Sequence, residues 1–240
     1  MLITKRISKY FGNRKILNNV SMVLEENKTY VLIGDNGSGK TTLFNIITGF
    51  LKPESGDVIF KKKNLNKLPP YYVNRLGISR TFQNLRIVHG ITVKENLLLS
   101  FKEIIGEKLT SAVIPYKFYS NKIHSLSIRA ELILKELCMD HLGNIKAENI
   151  SYGEQKLLSL GCCLANQADL FLLDEPVAGI DYKHRILIIN IIKKLQRMGK
   201  TFLIIEHNRN FIEKVSNEIL YLNKNGPLTK YRSYKEYKMD

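Results

Sequence analysis

The chain has 240 residues with an ordinary apolar fraction of 44%, enough for one large globular domain or two closely packed lobes. It has no apolar run near the ~20 residues of a membrane span and no signal peptide, so we expect a cytoplasmic protein. The net charge of +15 fits a plain lysine-rich surface, an anionic membrane surface or nucleic acid; the lysines are scattered, and we expect no nucleic-acid partner.

Strand and helix patterns alternate along the chain, which predicts an α/β architecture. From about residue 92 to 142 the pattern changes to long amphipathic helices, which predicts a helical sub-domain inserted into the α/β part. Strands are predicted at residues 20–24, 29–33, 57–60, 78–82, 170–173 and 201–205, and helices at 43–50, after the Pro69-Pro70 pair, and at 183–198.

Two groups of side chains outside any motif also carry expectations. Three tyrosines spaced three apart in the basic tail predict an amphipathic terminal helix that packs them, with RNA stacking as the alternative: Tyr231, Tyr234 and Tyr237. The three cysteines lack the spacing of a disulfide framework or zinc site and are predicted to be small buried residues: Cys138, Cys162 and Cys163.

The most specific motif is a phosphate-binding loop. Residues 34–42 read G-D-N-G-S-G-K-T-T and match G-x-x-x-x-G-K-[ST]. A predicted strand before the loop and a helix after it disfavour the alternative, a glycine-rich turn with an incidental lysine. Lys40 would bridge the β- and γ-phosphates, the Thr41 hydroxyl would bind Mg²⁺, and Thr42 would reach the α-phosphate. The predicted nucleotide-binding residues of the loop are Gly34, Asp35, Asn36, Gly37, Ser38, Gly39, Lys40, Thr41 and Thr42.

Three further segments each end a predicted buried strand with a polar side chain. Asp174 is predicted to hold Mg²⁺ and Glu175 to polarise the attacking water, since a carboxylate there would face the phosphates. The alternative, an exposed acidic pair that caps the next helix, is disfavoured by the apolar residues before it. His207 and Gln83 occupy corresponding positions, and His207 could donate a hydrogen bond to the γ-phosphate.

A third motif, S-Y-G-E-Q at residues 151–155, lies between the phosphate loop and L-L-D-E-P. In this order the three motifs resemble the ATP-binding subunit of an ATP-binding cassette (ABC) transporter over nearly the whole chain. The resemblance implies a P-loop NTPase of the ABC ATPase type: a RecA-like mixed sheet core with an N-terminal antiparallel β part. It implies a single nucleotide-binding domain over residues 1–240, with the helical sub-domain inserted at approximately 86–160.

The resemblance also implies roles for individual residues. Ser151 and Gly153 of one subunit would close on the γ-phosphate held by the phosphate loop of its partner. Gln83 would sense Mg²⁺ and contact the permease, His207 would act as the switch histidine, and Asp181 would lie where the two subunits touch. Phe11 would stack on adenine, with Tyr10 as the second choice. The chain departs from the family at Leu157 and Cys162, where arginines are usual, which puts the turnover rate in doubt.

The function expected from this resemblance is an ATP- and Mg²⁺-dependent ATPase on the inner face of the cell membrane. It would work as a homodimer, or as a heterodimer with a second ATP-binding subunit, and drive membrane permease subunits. R-T-F-Q-N-L-R-I-V (80–88), T-V-K-E-N-L-L-L (92–99) and Tyr152 resemble the branched-chain amino acid importer ATPases; the lipopolysaccharide-export ATPase is a near relative. The alternatives are a soluble ABC-type ATPase acting on ribosomes or nucleic acid, or one serving iron–sulphur assembly.

Overall fold

The computed structural model of the chain describes residues 1–83, 85–102, 116–224 and 226–239, without the side chains of 116–120. It consists of two compact units. One comprises Met1–Gln83, Ala168–Ala178 and Ile188–Asp240, and the other comprises Asn84–Gln167 and Gly179–Leu187. Residues 103–115, which belong to the predicted helical region, lie outside the described residues.

The elements follow the predicted alternation of strands and helices. In chain order they are β1 (Leu2–Phe11), β2 (Arg14–Leu24), β3 (Thr29–Ile33), α1 (Lys40–Ile47), β4 (Ser55–Phe60), β5 (Lys63–Asn64), α2 (Pro70–Arg75), β6 (Ile78–Arg80), α3 (Val93–Ser100), α4 (Tyr116–Glu136), α5 (Tyr152–Ala165), β7 (Leu170–Asp174), α6 (Tyr182–Arg197), β8 (Thr201–Ile205), α7 (Arg209–Val215), β9 (Glu218–Leu222), β10 (Leu228–Tyr231) and α8 (Tyr234–Met239).

The first unit contains two sheets. An antiparallel sheet has the order β2-β1-β4-β5, and a six-stranded sheet has the order β10-β9-β3-β8-β7-β6. In the second sheet β9, β3, β8, β7 and β6 run parallel, and β10 pairs antiparallel with β9. Every residue of β3, β7 and β8 is buried, as expected for parallel strands covered on both faces. Because parallel strands share one carboxyl edge, the segments after these three strands meet there.

Several predicted boundaries differ from those observed. The helix predicted at 43–50 begins three residues earlier, since Gly39 caps it in the left-handed region. It ends at Ile47, where the Thr48 hydroxyl donates to the carbonyl of Phe44 at 2.7 Å and Gly49 follows with φ of 77°. The strand predicted at 78–82 ends at Arg80. The predicted strand at 29–33 is confirmed to the residue.

The side-chain expectations for the tail and the cysteines are met in part. Tyr237 of α8 packs against three tyrosine rings at centroid distances of 5.5, 5.6 and 5.7 Å: those of Tyr221, Tyr231 and Tyr234. The tyrosine packing is therefore confirmed, although Tyr231 belongs to β10 rather than to the helix. Cys163 is buried as expected. The expectation was wrong for Cys138, which is exposed in the turn after α4 and has a φ of 55°.

The second unit is helical, and two of its helices begin with the same device. Thr92 caps α3 through a reciprocal pair of hydrogen bonds with Glu95, and Ser151 caps α5 in the same way with Glu154. No helix in the described parts of the chain combines the length and apolar character needed to cross a membrane.

Candidate nucleotide-binding site

The phosphate loop connects β3 to α1 and needs glycine at two tightly packed positions. Gly34 has φ of 152°, and a β-carbon there would lie 2.5 Å from the carbonyl oxygen of Leu222. Gly39 has φ of 99°, and a β-carbon there would lie 2.6 Å from Cδ2 of Leu17. Any larger residue would have to shift β2 or β9, so the backbone of the loop is fixed by its neighbours.

Two side chains of the loop suit an anionic ligand. Lys40 is 8% exposed, and its Nζ donates to the carbonyl oxygens of Gly34 (2.7 Å) and Asp35 (2.9 Å). Burial lowers the pKa of Lys40, although the carboxylates of Glu175, Asp35 and Asp174 oppose that shift. The Ser38 hydroxyl is buried without a hydrogen-bond partner. A phosphate group would supply a negative charge beside Lys40 and an acceptor for the Ser38 hydroxyl.

Asp174 ends β7 and is 2% exposed. Its Oδ2 accepts a hydrogen bond from Nη2 of Arg80 at 3.2 Å, within a buried ion pair, and its backbone N–H donates to the Thr81 hydroxyl at 3.1 Å. No local sequence pattern indicates that Arg80 pairs with Asp174, because the two residues lie on different strands. The guanidinium places a positive charge beside this buried carboxylate, which offsets the loss of its contact with water.

Glu175 follows directly, in an unusual backbone conformation. Its φ is 49°, in the left-handed region, and its N–H donates to the carbonyl of Ile205 at 2.9 Å. Nε2 of Gln83 donates to Oε2 of Glu175 at 3.4 Å. The structure therefore brings together two residues that lie 92 positions apart and that were predicted separately to act on the nucleotide.

A cavity of about 320 Å³ lies at the phosphate loop and is shared by Lys40, Gln83 and Glu175. It is lined by Phe11, Arg14, Ile16, Asn36, Gly37, Gly39, Lys40, Thr41, Thr42, Gln83, Glu175, Ile205 and His207. Phe11 is therefore placed beside the loop, and the second choice, Tyr10, is not among the lining residues. Arg14 and Ile16, which follow the turn between β1 and β2, belong to no sequence motif and were not predicted. Gly34, Asp35, Ser38 and Asp174 do not line this cavity.

The residues present also fit a magnesium ion bound together with phosphate. Among the described residues no group of three histidine, cysteine or acidic side chains could hold a metal on its own. Mg²⁺ commonly binds through one or two protein ligands while phosphates and water complete its shell. Thr41 lines the cavity with a side chain that carries a hydroxyl, and Asp174 ends β7 with a carboxylate, so each has an oxygen of the kind that Mg²⁺ takes.

Ser151 and Gly153 belong to the second unit, at the start of α5. The Ser151 hydroxyl accepts from the N–H of Glu154 at 3.3 Å. A β-carbon at Gly153 would lie 2.7 Å from Nδ1 of His184, and that ring is held by Asp181 at 2.6 Å. No sequence motif includes His184, although its spacing of three residues from Asp181 at the start of a helix is typical of such a contact.

Known proteins similar to the chain agree on one family. The sequence pattern of the ABC transporter family matches residues 17–178. The chain is 33% identical over 229 residues to the high-affinity branched-chain amino acid transport ATP-binding protein LivG of Salmonella typhimurium, covering 95% of this chain and 90% of the relative. It is 37% identical over 229 residues to the probable LivG of Methanocaldococcus jannaschii, covering 95% and 88%.

Solved structures give the same result. A nucleotide-free ATP-binding cassette from an ABC transporter has a TM-score of 0.84 and 34% identity, over 99% of this chain and 93% of its own. A dimeric cassette in a post-hydrolysis state, bound to ADP and Pi, has a TM-score of 0.80 and 25% identity, over 97% and 98%. These comparisons favour the transporter subunit over the ribosomal and iron–sulphur alternatives. With the phosphate loop and the strand-end carboxylates in place, the chain belongs to the ABC transporter family, as an ATP-binding and ATP-hydrolysing subunit.

Proposed function

We propose that this ATPase subunit powers the transport of branched-chain amino acids through membrane permease subunits. The observation that carries the proposal is the identity of 33–37% over 95% of the chain to ATP-binding proteins named for branched-chain amino acid transport. The chain would work as a peripheral protein on the inner face of the membrane, and its net charge of +15 would favour an anionic lipid surface.

The main predicted site residues have distinct proposed roles in ATP binding and hydrolysis. Lys40 and the loop N–H groups hold the phosphates, and the ring of Phe11 stacks on adenine. Mg²⁺, held by Thr41, Asp174 and the phosphates and sensed by Gln83, would neutralise charge that develops on the transferred phosphoryl group. Glu175 accepts a hydrogen bond from the attacking water and orients it, and His207 donates to the γ-phosphate.

A second chain is proposed to complete the site. Ser151 and Gly153 at the N-terminus of α5 would contact the γ-phosphate held by the loop of a partner subunit, where the helix dipole favours an anion. Loss of the γ-phosphate would remove the bridge between the two subunits and let the dimer open. This opening would be transmitted to the permease through Gln83 and the segment that follows it.

Replacing Glu175 by Gln tests the catalytic assignment. The variant should bind ATP with parental affinity, because the loop is intact, and accumulate as an ATP-bound dimer. Its rate of phosphate release should fall at least about 100-fold, because the amide cannot accept the proton of water. Phosphate release and size-exclusion chromatography with ATP would measure both effects. A monomeric Glu175→Gln variant with parental activity would reject the assignment.

The substrate is tested by uptake into cells that lack the chain. Reintroducing the parental protein should restore uptake of radiolabelled leucine, isoleucine or valine, whereas Lys40→Ala should not restore it. Restoration by the Lys40→Ala variant, or no uptake defect at all, would contradict the proposed substrate. Co-purification with RNA instead of membranes would point to the alternative class of ABC ATPase.

A further inference from the structure

Glu206 is a buried carboxylate next to the site with no role assigned to it. It directly follows β8 and is 3% exposed. In the sequence it is only the residue before His207, one acidic residue after an apolar strand. A carboxylate removed from water needs compensation by charge or by several hydrogen-bond donors.

Three backbone N–H groups provide this compensation. Oε1 of Glu206 accepts from Val177 at 3.1 Å, and Oε2 accepts from His207 at 2.7 Å and from Asn208 at 2.9 Å. In the described part of the chain no lysine or arginine forms an ion pair with Glu206. Both oxygens are therefore engaged by the backbone of two different segments.

The two segments are those that carry the proposed hydrolytic residues. Val177 lies two residues after Glu175, in the turn that leaves β7. His207 is itself one of the donors, and Asn208 caps α7 by accepting from the N–H of Phe211 at 3.0 Å. The carboxylate of Glu206 therefore connects the turn after β7 to the start of α7, with His207 in between.

The backbone of Glu175 explains why such a connection is needed. A left-handed conformation at a non-glycine residue persists only when its surroundings hold it there. Residue 205 holds one side of Glu175, since the carbonyl of Ile205 accepts from the Glu175 N–H at 2.9 Å. Glu206 holds the other side through Val177. The last residue of β8 and the residue that follows it thus hold the turn that contains Glu175 from two sides.

We propose that Glu206 is a positioning residue for ATP hydrolysis, which fixes Glu175 and His207 in one arrangement through the three backbone N–H groups. It acts through these two residues and does not contact the nucleotide. The proposal rests on the roles proposed above for Glu175 and His207. In this proposal, residues of the phosphate loop and β1 bind ATP, whereas Glu206 only aligns the two hydrolytic residues.

Replacing Glu206 by Gln tests the proposal, because the side chain keeps its length while one of its two acceptors becomes a donor facing an N–H group. We expect kcat for ATP hydrolysis to fall about 10- to 100-fold, the loss typical of a small misplacement of reacting groups. KM for ATP should stay within about threefold, since Lys40 and Phe11 are untouched. Amide hydrogen exchange should speed up at Val177, His207 and Asn208, or at His207 and Asn208 alone if the amide oxygen keeps facing Val177.

Glu213→Gln is the matched control. Glu213 lies on α7, a few residues from Glu206, and its exposed carboxylate pairs with Arg209 at 2.9 Å. The same change of charge at this position should leave kcat, KM and exchange at the three amides unchanged. Equal losses in the two variants would attribute the effect to charge and overturn the positioning role.

Other outcomes also decide the question. A parental kcat in Glu206→Gln would overturn the proposal, as would a rise in KM that matches the loss of kcat. Should Glu206→Gln not fold, Glu206→Asp retains the charge but is one methylene shorter; it should show a lowered kcat, and a parental kcat there would equally overturn the proposal. If Glu175→Gln hydrolyses ATP normally, the underlying assignment fails instead, whatever Glu206→Gln does.

Discussion

At the scale of single residues, two neighbouring aromatic side chains at the end of β1 differ in their relation to the phosphate loop. Phe11 is 51% exposed and lines the same cavity as Lys40, whereas Tyr10 is 40% exposed and does not line it. An aromatic ring exposed beside a nucleotide site offers a face on which a base can stack. Their proximity and similar exposure make them a matched pair for testing where adenine binds.

We predict that Phe11→Ala weakens ATP binding about tenfold, since stacking a base on an aromatic ring contributes about 1–3 kcal/mol. Tyr10→Ala should change the dissociation constant less than about twofold. Titration with a fluorescent ATP analogue would measure both. The reverse ranking of the two variants would place adenine on Tyr10.

Cys162 gives a residue-scale prediction that depends on pH. It lies in α5 at a position where the family usually has arginine, and burial raises the pKa of its thiol to about 11. Only the thiolate form of cysteine reacts. With a pKa of about 11, about 0.1% of the Cys162 thiol is ionised at pH 8. Alkylation of Cys162 by iodoacetamide should therefore be slow at pH 8 and rise about tenfold per pH unit up to pH 11.

Cys138 provides the comparison, because it is exposed on the same chain. Timed alkylation followed by peptide mass spectrometry should detect modified Cys138 first at pH 8. A rate for Cys162 that levels off below pH 9 would contradict the raised pKa. Labelling should be followed on the folded protein with a parental melting temperature, because unfolding would expose both thiols.

The site residues that could be predicted from the sequence are those that belong to a local motif. The phosphate loop, Asp174, Glu175 and His207 each follow an apolar strand that could be read directly. Arg80 and Glu206 were missed because their partners are distant in sequence: Arg80 pairs with a residue 94 positions away, and Glu206 binds an N–H 29 positions away. No local sequence pattern predicts the left-handed φ of Glu175, because glycine is the residue expected in that conformation.

At the scale of elements, a buried ion pair joins the edge strand β6 to β7. The side chains of Arg80 and Asp174 are 5% and 2% exposed, and the guanidinium also donates to Asn45 at 2.7 Å and lies over the rings of Phe44 and Phe82. Strand β6 has only three residues, so few ladder hydrogen bonds hold it. The arginine therefore contributes much of what fixes β6 and the segment that leads to Gln83.

We predict that Arg80→Met lowers the free energy of unfolding by about 3 kcal/mol or more, because it removes the buried guanidinium that pairs with the Asp174 carboxylate. Lys61→Met is the control: Lys61 pairs with Asp169 at 2.6 Å, but the side chains are 46% and 41% exposed. Its loss should cost less than about 1 kcal/mol. Urea unfolding would measure both, and similar values for the two variants would show that burial of the Arg80 pair contributes nothing.

The helices and strands were predictable where the apolar periodicity agreed with the residues that begin or end an element. Strand β3 is apolar and partly β-branched after Thr29 and is followed directly by Gly34, so both of its ends could be predicted. Helix α1 begins earlier than predicted because its cap is a glycine in the left-handed region rather than a serine or aspartate. Strand β10 was missed for a different reason: an edge strand with only partly buried and exposed residues looks like the polar tail around it.

At the scale of the whole molecule, the proposed two-chain arrangement divides each nucleotide site between subunits. One chain would contribute Lys40 and Glu175, and the other would contribute Ser151 from the start of α5. Two inactive chains can then form one intact site if one is defective in the half that contains Lys40 and Glu175 and the other is defective in the half that contains Ser151. Two chains that are defective in the same half cannot. Sequence motifs suggested this division, and mixing variants tests it without any knowledge of the permease.

We predict that the Lys40→Ala and Ser151→Arg variants are each inactive alone but recover activity when mixed. A mixed dimer has one site in which the loop comes from the Ser151→Arg chain and Ser151 comes from the Lys40→Ala chain, and both contributions are intact. Random pairing makes half of the dimers mixed, each with one intact site of two, so about a quarter of the parental phosphate release should return.

Lys40→Ala mixed with Glu175→Gln is the matched control, because both changes fall in the half-site that one chain supplies. Every site in that mixed dimer carries a defect, and activity should stay at the level of the separate variants. Ser151 also caps α5, so Ser151→Arg is expected to lose about 1 kcal/mol of stability, and its folding should be checked by circular dichroism. No recovery in the mixture of Lys40→Ala and Ser151→Arg would mean that a single chain completes its own site, and full activity of Ser151→Arg alone would mean that Ser151 is not part of the site.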